Sequence, residues 1–281
     1  METAILNYFS LNGDLRATED FYMANEGIKL YEVVRIIKGI PLFMEMHLDR
    51  MNNSMNIAKV NSRFNMAKIT EEFYKVIKAN DYAEGNIKLV LNFYEDKEDC
   101  YIYYIPHSYP SEKLYIEGIN TILFNGERNN PNAKVINSQF RATIDSLVKK
   151  VNAYEALLVD NQGRITEGSK SNVFFVKEDI LVTPPLEQVL PGVTRAQILD
   201  IAKDNHIEVQ ERYISVNELE EYQGAFISGT SPKVLPIKTI DSIKISSSDN
   251  FLVKKVIELY DNNIDKYINE HNKQSAYFEK W

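Results

Sequence analysis

Residues 153–184 alternate short apolar runs with turn residues, and this stretch constrains the fold more than any other. The runs YEALLVD and RITEG are separated by Asn161-Gln162-Gly163, and the apolar run SNVFFVKEDILVTPP follows. Short apolar or alternating runs divided by a glycine-containing turn are typical of β-hairpins. The sequence therefore predicts a hairpin-rich second half, with Glu167-Gly168 at the end of one strand.

The first half alternates predicted strands and helices. Asn12-Gly13 and Lys38-Gly39 are hairpin signals between runs rich in β-branched and aromatic residues. MEMHLDRMNNSMNIA and NMAKITEEFYKVIKAND have helical apolar spacing. The Pro110-Ser111 stretch is the best candidate for a domain joint, so we expect domains at 1–111 and 112–281.

Further helices are predicted in the second half. One covers 136–151, another begins with Thr194 as its N-cap, and an amphipathic helix ends the chain. A total of 281 residues with 44 % hydrophobic and 26 % charged content is ordinary for a soluble protein of one large or two modest domains.

Charge and cysteine content limit the possible partners. The net charge of −8 argues against nucleic acid and anionic membranes as partners. The lone Cys100 excludes an intramolecular disulfide and suits a reducing cytoplasm. No signal peptide, membrane span or Cys/His metal site is expected from the sequence.

Lys134 and Glu167 are the residues with the clearest chemical potential. A lysine can form a Schiff base with an aldehyde, and a carboxylate can hold a pyridine nitrogen in its protonated form. Taken alone, a lysine is usually a surface residue and a glutamate in a hairpin is usually solvated. The residues that surround Lys134 and Glu167 in the sequence decide between these interpretations.

The runs ITEGSKSNVFFV and VLPGVTR resemble the fold-type IV enzymes that use pyridoxal 5'-phosphate (PLP). That family includes D-amino-acid aminotransferases, branched-chain aminotransferases and aminodeoxychorismate lyases. Its pattern of Lys-x-x-Asn, Tyr-Glu-Ala and Glu-Gly-x-x-Ser-Asn is matched in order by Lys134, Asn137, 154–156 and 167–172. The competing lysines, Lys149, Lys150 and Lys170, fit this pattern worse. The similarity extends from about Tyr31 to Pro236.

The resemblance implies an α/β (α+β) fold with a small N-terminal α/β domain and a larger, β-barrel-like C-terminal domain with helices. PLP would lie between the domains of a homodimer. Lys134 would be the catalytic residue that bonds PLP, and Glu167 would contact the pyridine nitrogen. The other residues implied in cofactor binding are Arg50, Leu190, Val193, Thr194, Gly229 and Thr230.

Within that set, the amides of Val193 and Thr194 and the Thr194 hydroxyl would hold the phosphate, with Arg50 as its charge partner. Leu190 would lie against one face of the ring. His47, at i and i+3 with Arg50, would only orient the arginine. The implied substrate contacts are Tyr31, Thr230 and Ser231.

The substrate branch is predicted from what the first half lacks. No arginine occurs between Arg63 and Arg128, and His107 is the only histidine there, which argues against the Arg-x-His carboxylate grip of D-specific relatives. We therefore favour amino transfer between a branched-chain-like L-amino acid and a 2-keto acid. The alternatives are a D-amino-acid aminotransferase and a lyase that eliminates pyruvate from aminodeoxychorismate. Lys88, Arg128 or a partner subunit would be the other sources of a carboxylate clamp.

Overall fold

The computed structural model describes residues 3–95, 97–128, 131–136 and 138–278. The described residues form two compact units. The first unit falls within Met1–Ser108, Ala133–Ile136 and Asn263–Trp281, and the second within Tyr109–Asn132 and Asn137–Asn262. Asn137 of the predicted Lys-x-x-Asn element lies outside the described residues. The predicted division at 111/112 stays a prediction.

The first unit is built on an antiparallel sheet with the strand order β2-β1-β6-β5-β3-β4. Its strands are β1 (Ile5–Leu11), β2 (Asp14–Ala17), β3 (Ile28–Ile37), β4 (Ile40–Pro41), β5 (Gly85–Tyr94) and β6 (Lys97–Ile105). The predicted hairpins at Asn12-Gly13 and Lys38-Gly39 are confirmed. All four turn residues have positive φ angles, as two-residue turns that match strand twist require.

Two predicted helices cover one face of this sheet. They are α1 (Met44–Ala58) and α2 (Met66–Asn80). Asn65 caps the start of α2, and its side chain accepts from the Ala67 N–H at 2.9 Å. Their apolar faces bury a core against the strands, with Met51 and Phe73 fully enclosed. Successive strand residues face opposite sides, so the residues between the core positions point to the other face of the sheet.

The second unit contains a larger mixed sheet with the order β12-β11-β10-β14-β15-β7-β8-β9-β13, and β16 pairs with β15. The strands are β7 (Ile119–Asn125), β8 (Glu155–Val159), β9 (Arg164–Gly168), β10 (Asn172–Lys177), β11 (Ile180–Thr183), β12 (Val209–Glu211), β13 (Ile214–Ser215), β14 (Gly224–Gly229), β15 (Lys233–Ile240) and β16 (Ile243–Lys244). The hairpins predicted from 153–184 are present, with β8 pairing β9 and β10 pairing β11.

Besides three short 3₁₀ helices, the described structure contains four further α-helices. They are α3 (Glu112–Glu117), α4 (Ser138–Lys150), α5 (Val193–Asp204) and α6 (Phe251–Phe278). α4 places Ile144 in a small core with Ala156 and Leu158 of β8. None of the described helices combines the length and the apolar character that a membrane crossing needs. The described residues also contain no cluster of three His, Cys, Asp or Glu side chains that could hold a metal ion.

The start of α5 corrects one prediction. Thr194 is not the N-cap, because Val193 and Thr194 are already helical and Gly192 precedes them as the cap residue. The Gly192 carbonyl accepts the Ala196 N–H at 2.9 Å, which closes the first turn. A Cβ on Gly192 would lie 2.0 Å from Oδ1 of Asn172, so the close packing of the Asn172 side chain against this backbone requires glycine. The tight packing of Asn172 against Gly192 overrides the usual preference for threonine at the cap.

Candidate active site

Lys134 lies in a short segment that is bonded to the edge of β3. The Lys134 carbonyl accepts from the Tyr31 N–H at 3.1 Å, and the Ile136 N–H donates to the Lys29 carbonyl at 3.2 Å. The Lys134 N–H donates to Oγ of Ser54 on α1 at 3.2 Å. These contacts hold the backbone of Lys134 in the first unit, although the residue follows β7 in the chain. The lysine is thus fixed in position rather than carried by a free loop.

Tyr31 brings two lysines together on the same face of the sheet. Nζ of Lys134 lies 4.8 Å from the centre of the Tyr31 ring, and Nζ of Lys88 lies 4.7 Å from it. The ammonium groups are therefore at most 9.5 Å apart, the sum of those two distances. Cations over a tyrosine face are stabilised by the ring quadrupole. Lys88 is only 7 % exposed, so its charge is enclosed by the protein.

Arg50 and His47 meet a carboxylate that the sequence analysis did not single out. Glu32 is fully buried, and it accepts from Nε of Arg50 at 2.8 Å and from Nη2 at 2.5 Å. Nδ1 of His47 lies 2.7 Å from Oε2 of Glu32 and 3.5 Å from Nη2 of Arg50. The bidentate contact fixes the plane of the guanidinium.

The charges in this cluster follow from its geometry. Burial acts to raise the pKa of Glu32, but the charge and hydrogen bonds of Arg50, aided by His47, lower it to about 2. Burial lowers the pKa of His47 despite its bond to Glu32, so the imidazole is neutral near pH 7. Burial also acts against the charge of Arg50, yet Glu32 raises its pKa. The cluster is therefore an ion pair between Glu32 and Arg50, with the neutral His47 in contact with Glu32.

Alternation along β3 was the signal that could have identified Glu32. Tyr31 and Glu32 are neighbours and must face opposite sides of the sheet. Tyr31 belongs to the aromatic face with Val90 and Tyr103, while Glu32 points toward α1. A charged residue at a core-facing position needs a partner of opposite charge. Arg50 is that partner.

Glu167 lies near the end of β9 in the second unit and is 2 % exposed. Nε of Arg128 lies 2.9 Å from its Oε1, and the Leu190 N–H donates to its Oε2 at 3.1 Å. The carboxylate is therefore anchored through both of its oxygens.

Leu190 is held at both of its backbone groups. Its N–H bonds Glu167, and its carbonyl accepts from Nδ2 of Asn172 at 2.9 Å. This couples the end of β9 to the turn that starts α5. The position of the Leu190 side chain thus depends on the same carboxylate that is predicted to contact the cofactor ring.

The start of α5 has the properties of an anion site. Its first residues, Val193 and Thr194, are buried, and the helix has no side-chain cap. Buried N–H groups at a helix start need an acceptor and attract anions. Oγ1 of Thr194 lies 3.5 Å from Oη of Tyr260 on α6. Oγ of Ser228, one residue before Gly229, is buried without a hydrogen-bond partner among the described residues.

The remaining predicted residues form the turn that follows β14. Gly229 is the last residue of that strand and pairs with Lys233 of β15, and Thr230 and Ser231 lie in the connecting turn. Both side chains are partly exposed. The turn is anchored beside Pro232, whose carbonyl accepts from Oη of Tyr115 at 2.9 Å.

The predicted site residues therefore fall into two sets, each assembled within its own unit. The first unit contains Tyr31, Arg50 and Lys134, and the second contains Glu167, Leu190, Val193, Thr194, Gly229, Thr230 and Ser231. PLP requires a lysine, a buried carboxylate for its ring nitrogen, and N–H donors for its phosphate. The uncapped, buried start of α5 and the unpartnered Ser228 hydroxyl fit the phosphate, and the buried Glu167 fits the ring nitrogen.

Comparison with known proteins agrees with this chemistry. The family model for amino-transferase class IV matches residues 29–240. The chain is 26 % identical to the branched-chain-amino-acid aminotransferase of Escherichia coli (strain K12) over 87 % of its own length and 88 % of the relative. It is also 26 % identical to the D-alanine aminotransferase of Bacillus licheniformis, over 80 % of this chain and 83 % of that one.

A solved structure confirms the predicted fold. The branched-chain aminotransferase of the thermophilic archaeon Thermoproteus uzoniensis, crystallised with norvaline, superposes with a TM-score of 0.84. The match covers 94 % of this chain and 98 % of the other at 22 % identity. Since the family model spans well over half of the 281 residues, the chain belongs to the class IV aminotransferases, a family of PLP-dependent enzymes.

Proposed function

We propose that this aminotransferase moves the amino group of a branched-chain-like L-amino acid to a 2-keto acid, with Lys134 as its catalytic residue. The observation that carries the assignment of Lys134 is its fixed place beside Tyr31, where its backbone bonds β3 and α1 and its ammonium lies against the ring. A catalytic amine must be held within a fraction of an ångström of its productive position. Lys149 and Lys150 lie in the last turn of α4, and Lys170 pairs with Asp145 at 2.6 Å.

PLP, when bound, supplies an electron sink that stabilises negative charge at the substrate α-carbon. Lys134 would hold the aldehyde of the cofactor, and its Nζ would accept and return the α-proton of the substrate. Glu167 would keep the ring nitrogen protonated. Arg50 would supply positive charge to the phosphate, and Glu32 holds its guanidinium in place through two hydrogen bonds. The amides of Val193 and Thr194 supply neutral donors.

The preference for a branched-chain-like substrate rests on the relatives of this chain. Several of the related proteins are branched-chain aminotransferases. The amides of Thr230 and Ser231 and the Tyr31 hydroxyl are the proposed partners of the substrate carboxylate.

A D-amino-acid aminotransferase is the second candidate, because one relative is a D-alanine aminotransferase. Against it stands the absence of arginine from the sequence between Arg63 and Arg128. A screen of the first half-reaction separates the two. PLP-loaded enzyme is mixed with single L- and D-amino acids, and the absorbance of the lysine-bound cofactor is followed. We expect L-valine, L-leucine or L-isoleucine to react fastest, whereas fastest reaction with D-alanine would make the L-specific assignment wrong.

The same preparation tests the lyase alternative and the assembly. Release of pyruvate from aminodeoxychorismate without a keto-acid acceptor would show elimination rather than amino transfer. The proposed homodimer follows from the family resemblance, and light scattering at micromolar concentration tests it. A monomer with full activity would contradict it. The proposed cytoplasmic location is tested by fractionation of cells that express the tagged chain.

A further inference from the structure

The surroundings of Glu167 include an arginine to which the site described so far gives no role. Arg128 follows β7, and its side chain is largely buried. Its Nη2 donates to the Ser169 carbonyl at 2.8 Å, while its Nε lies 2.9 Å from Oε1 of Glu167. The Nε–H group does not point at that oxygen, so the contact is an ion pair without a hydrogen bond from Nε.

Two other buried carboxyl groups of this chain show what such a charge does. Glu32 has an arginine partner, and its pKa lies at about 2 despite burial. Glu155 has no arginine partner among the described residues: it accepts from the Lys170 N–H and from Oγ of Ser169, and burial raises its pKa in spite of these bonds. Neutral donors therefore do not offset the effect of burial on the pKa of Glu155, whereas the charge and hydrogen bonds of Arg50, aided by His47, do so for Glu32.

Glu167 resembles the first case in its contacts. Charged groups on the neighbouring segments include Arg128 after β7, Glu155 of β8, and Lys170 in the turn after β9. Lys170 is half exposed and paired with Asp145. Glu155 would oppose a negative charge on Glu167. Arg128 is the cation in direct contact with the Glu167 carboxylate, so its charge favours the carboxylate form.

We infer that Arg128 is a positioning residue that keeps Glu167 ionised and directs its carboxylate toward the ring nitrogen of the cofactor. The inference rests on the proposed role of Glu167. With Oε1 beside Arg128 and Oε2 bonded to the Leu190 N–H, the carboxylate plane has no freedom to rotate without losing a contact. The bond from Nη2 to the Ser169 carbonyl holds the guanidinium in place.

The test is a titration of Glu167 in the PLP-free protein. Glutamate labelled with ¹³C at Cδ gives a signal that Glu167→Gln removes, which assigns it. Losing a direct arginine contact raises a carboxyl pKa by roughly one to three units, so Arg128→Gln should shift the Glu167 midpoint upward by that amount. Asn132→Ala is the matched control, because Asn132 anchors the same segment through the carbonyls of Leu186 and Val189 and carries no charge. It should leave the midpoint unchanged.

Two outcomes overturn the inference. One is a Glu167 midpoint in Arg128→Gln that equals the wild-type value, and the other is an equal shift in Asn132→Ala, which would mean that the segment acts only structurally. If Arg128→Gln does not fold, Arg128→Lys replaces it. Lysine keeps the positive charge but lacks the planar guanidinium. The Glu167 midpoint should therefore lie within about one pKa unit of the wild-type value. A larger rise would contradict the charge effect.

PLP affinity separates this inference from the role of Glu167 itself. If both are correct, Arg128→Gln weakens PLP binding in the wild-type background but has little further effect in Glu167→Gln, because the arginine acts through the glutamate. Equal losses in both backgrounds would contradict action through Glu167. Should Glu167→Gln bind PLP like wild type while Arg128→Gln still shifts the Glu167 titration, the proposed function of Glu167 fails and the ion-pair effect stands.

Discussion

Replacing Glu32 by glutamine should destabilise the first unit strongly. Glutamine has nearly the same shape, but it has no charge, and its amide places donors against the donors of Arg50 and His47. Removing one partner of a buried ion pair costs about 3–5 kcal/mol, because the other charge stays buried. The depression of the Glu32 pKa from 4.5 to about 2 corresponds to about 3 kcal/mol at neutral pH. The cost expected for a broken buried ion pair and the free energy that corresponds to the pKa shift are therefore of similar size.

Hydrogen exchange of the β3 and β5 amides in the PLP-free protein measures this loss. Since about 1.4 kcal/mol corresponds to a tenfold change in an equilibrium constant, exchange at pH 7 should speed up by two decades or more. The folded-state pKa of Glu32 lies below its ordinary value, so the stabilisation is complete above about pH 4.5 and is lost as the pH falls toward 2. The difference between wild type and variant should shrink across that window.

Glu155→Gln is the control for this prediction. Glu155 is similarly buried but has a raised pKa and no arginine partner among the described residues, so a neutral replacement should cost far less. If Glu32→Gln exchanges no faster than wild type, or if both variants lose the same stability, the ion pair with Arg50 is not what holds β3 and α1 together. A difference that stays constant down to pH 2 would also refute the reasoning.

Two further substitutions test the phosphate site and the packing of Asn172 against Gly192 at the start of α5. Arg50→Ala removes a charge-assisted contact worth about 1.5–3 kcal/mol, so PLP affinity measured by fluorescence titration should fall by one to two decades. Unchanged affinity would reject the role of Arg50 as the charge partner of the phosphate. Gly192→Ala places a methyl group 2.0 Å from Oδ1 of Asn172 and should cost about 1–3 kcal/mol, seen as a lower thermal midpoint that Asn172→Ala partly restores. No restoration would mean that another contact causes the loss.

Local patterns were enough to predict much of this fold. The turns at Asn12-Gly13 and Lys38-Gly39 need positive φ angles, and each contains a glycine, which adopts such angles readily, so the glycines indicate both turns. The helix α1 follows from apolar spacing alone. Membership of the aminotransferase family was likewise visible in the motif around Glu167.

Long-range contacts account for what the sequence could not show. Glu32 and Arg50 lie on different elements, and no local pattern states which helix residue meets which strand residue. The Lys134 carbonyl accepts from the Tyr31 N–H at the edge of β3, a contact between distant parts of the chain. The cap of α5 was predicted wrongly because propensity favours threonine there, whereas the packing of Asn172 determines that Gly192 takes the position.

Mapping the lysine that bonds the cofactor tests the central claim most directly. PLP-loaded enzyme is reduced with borohydride, digested and analysed by mass spectrometry, which locates the stable pyridoxyl group. Our account predicts a single label on Lys134, which is fixed beside Tyr31, and no label in Lys134→Ala. A label on Lys88, Lys149, Lys150 or Lys170 in the wild-type enzyme would contradict it.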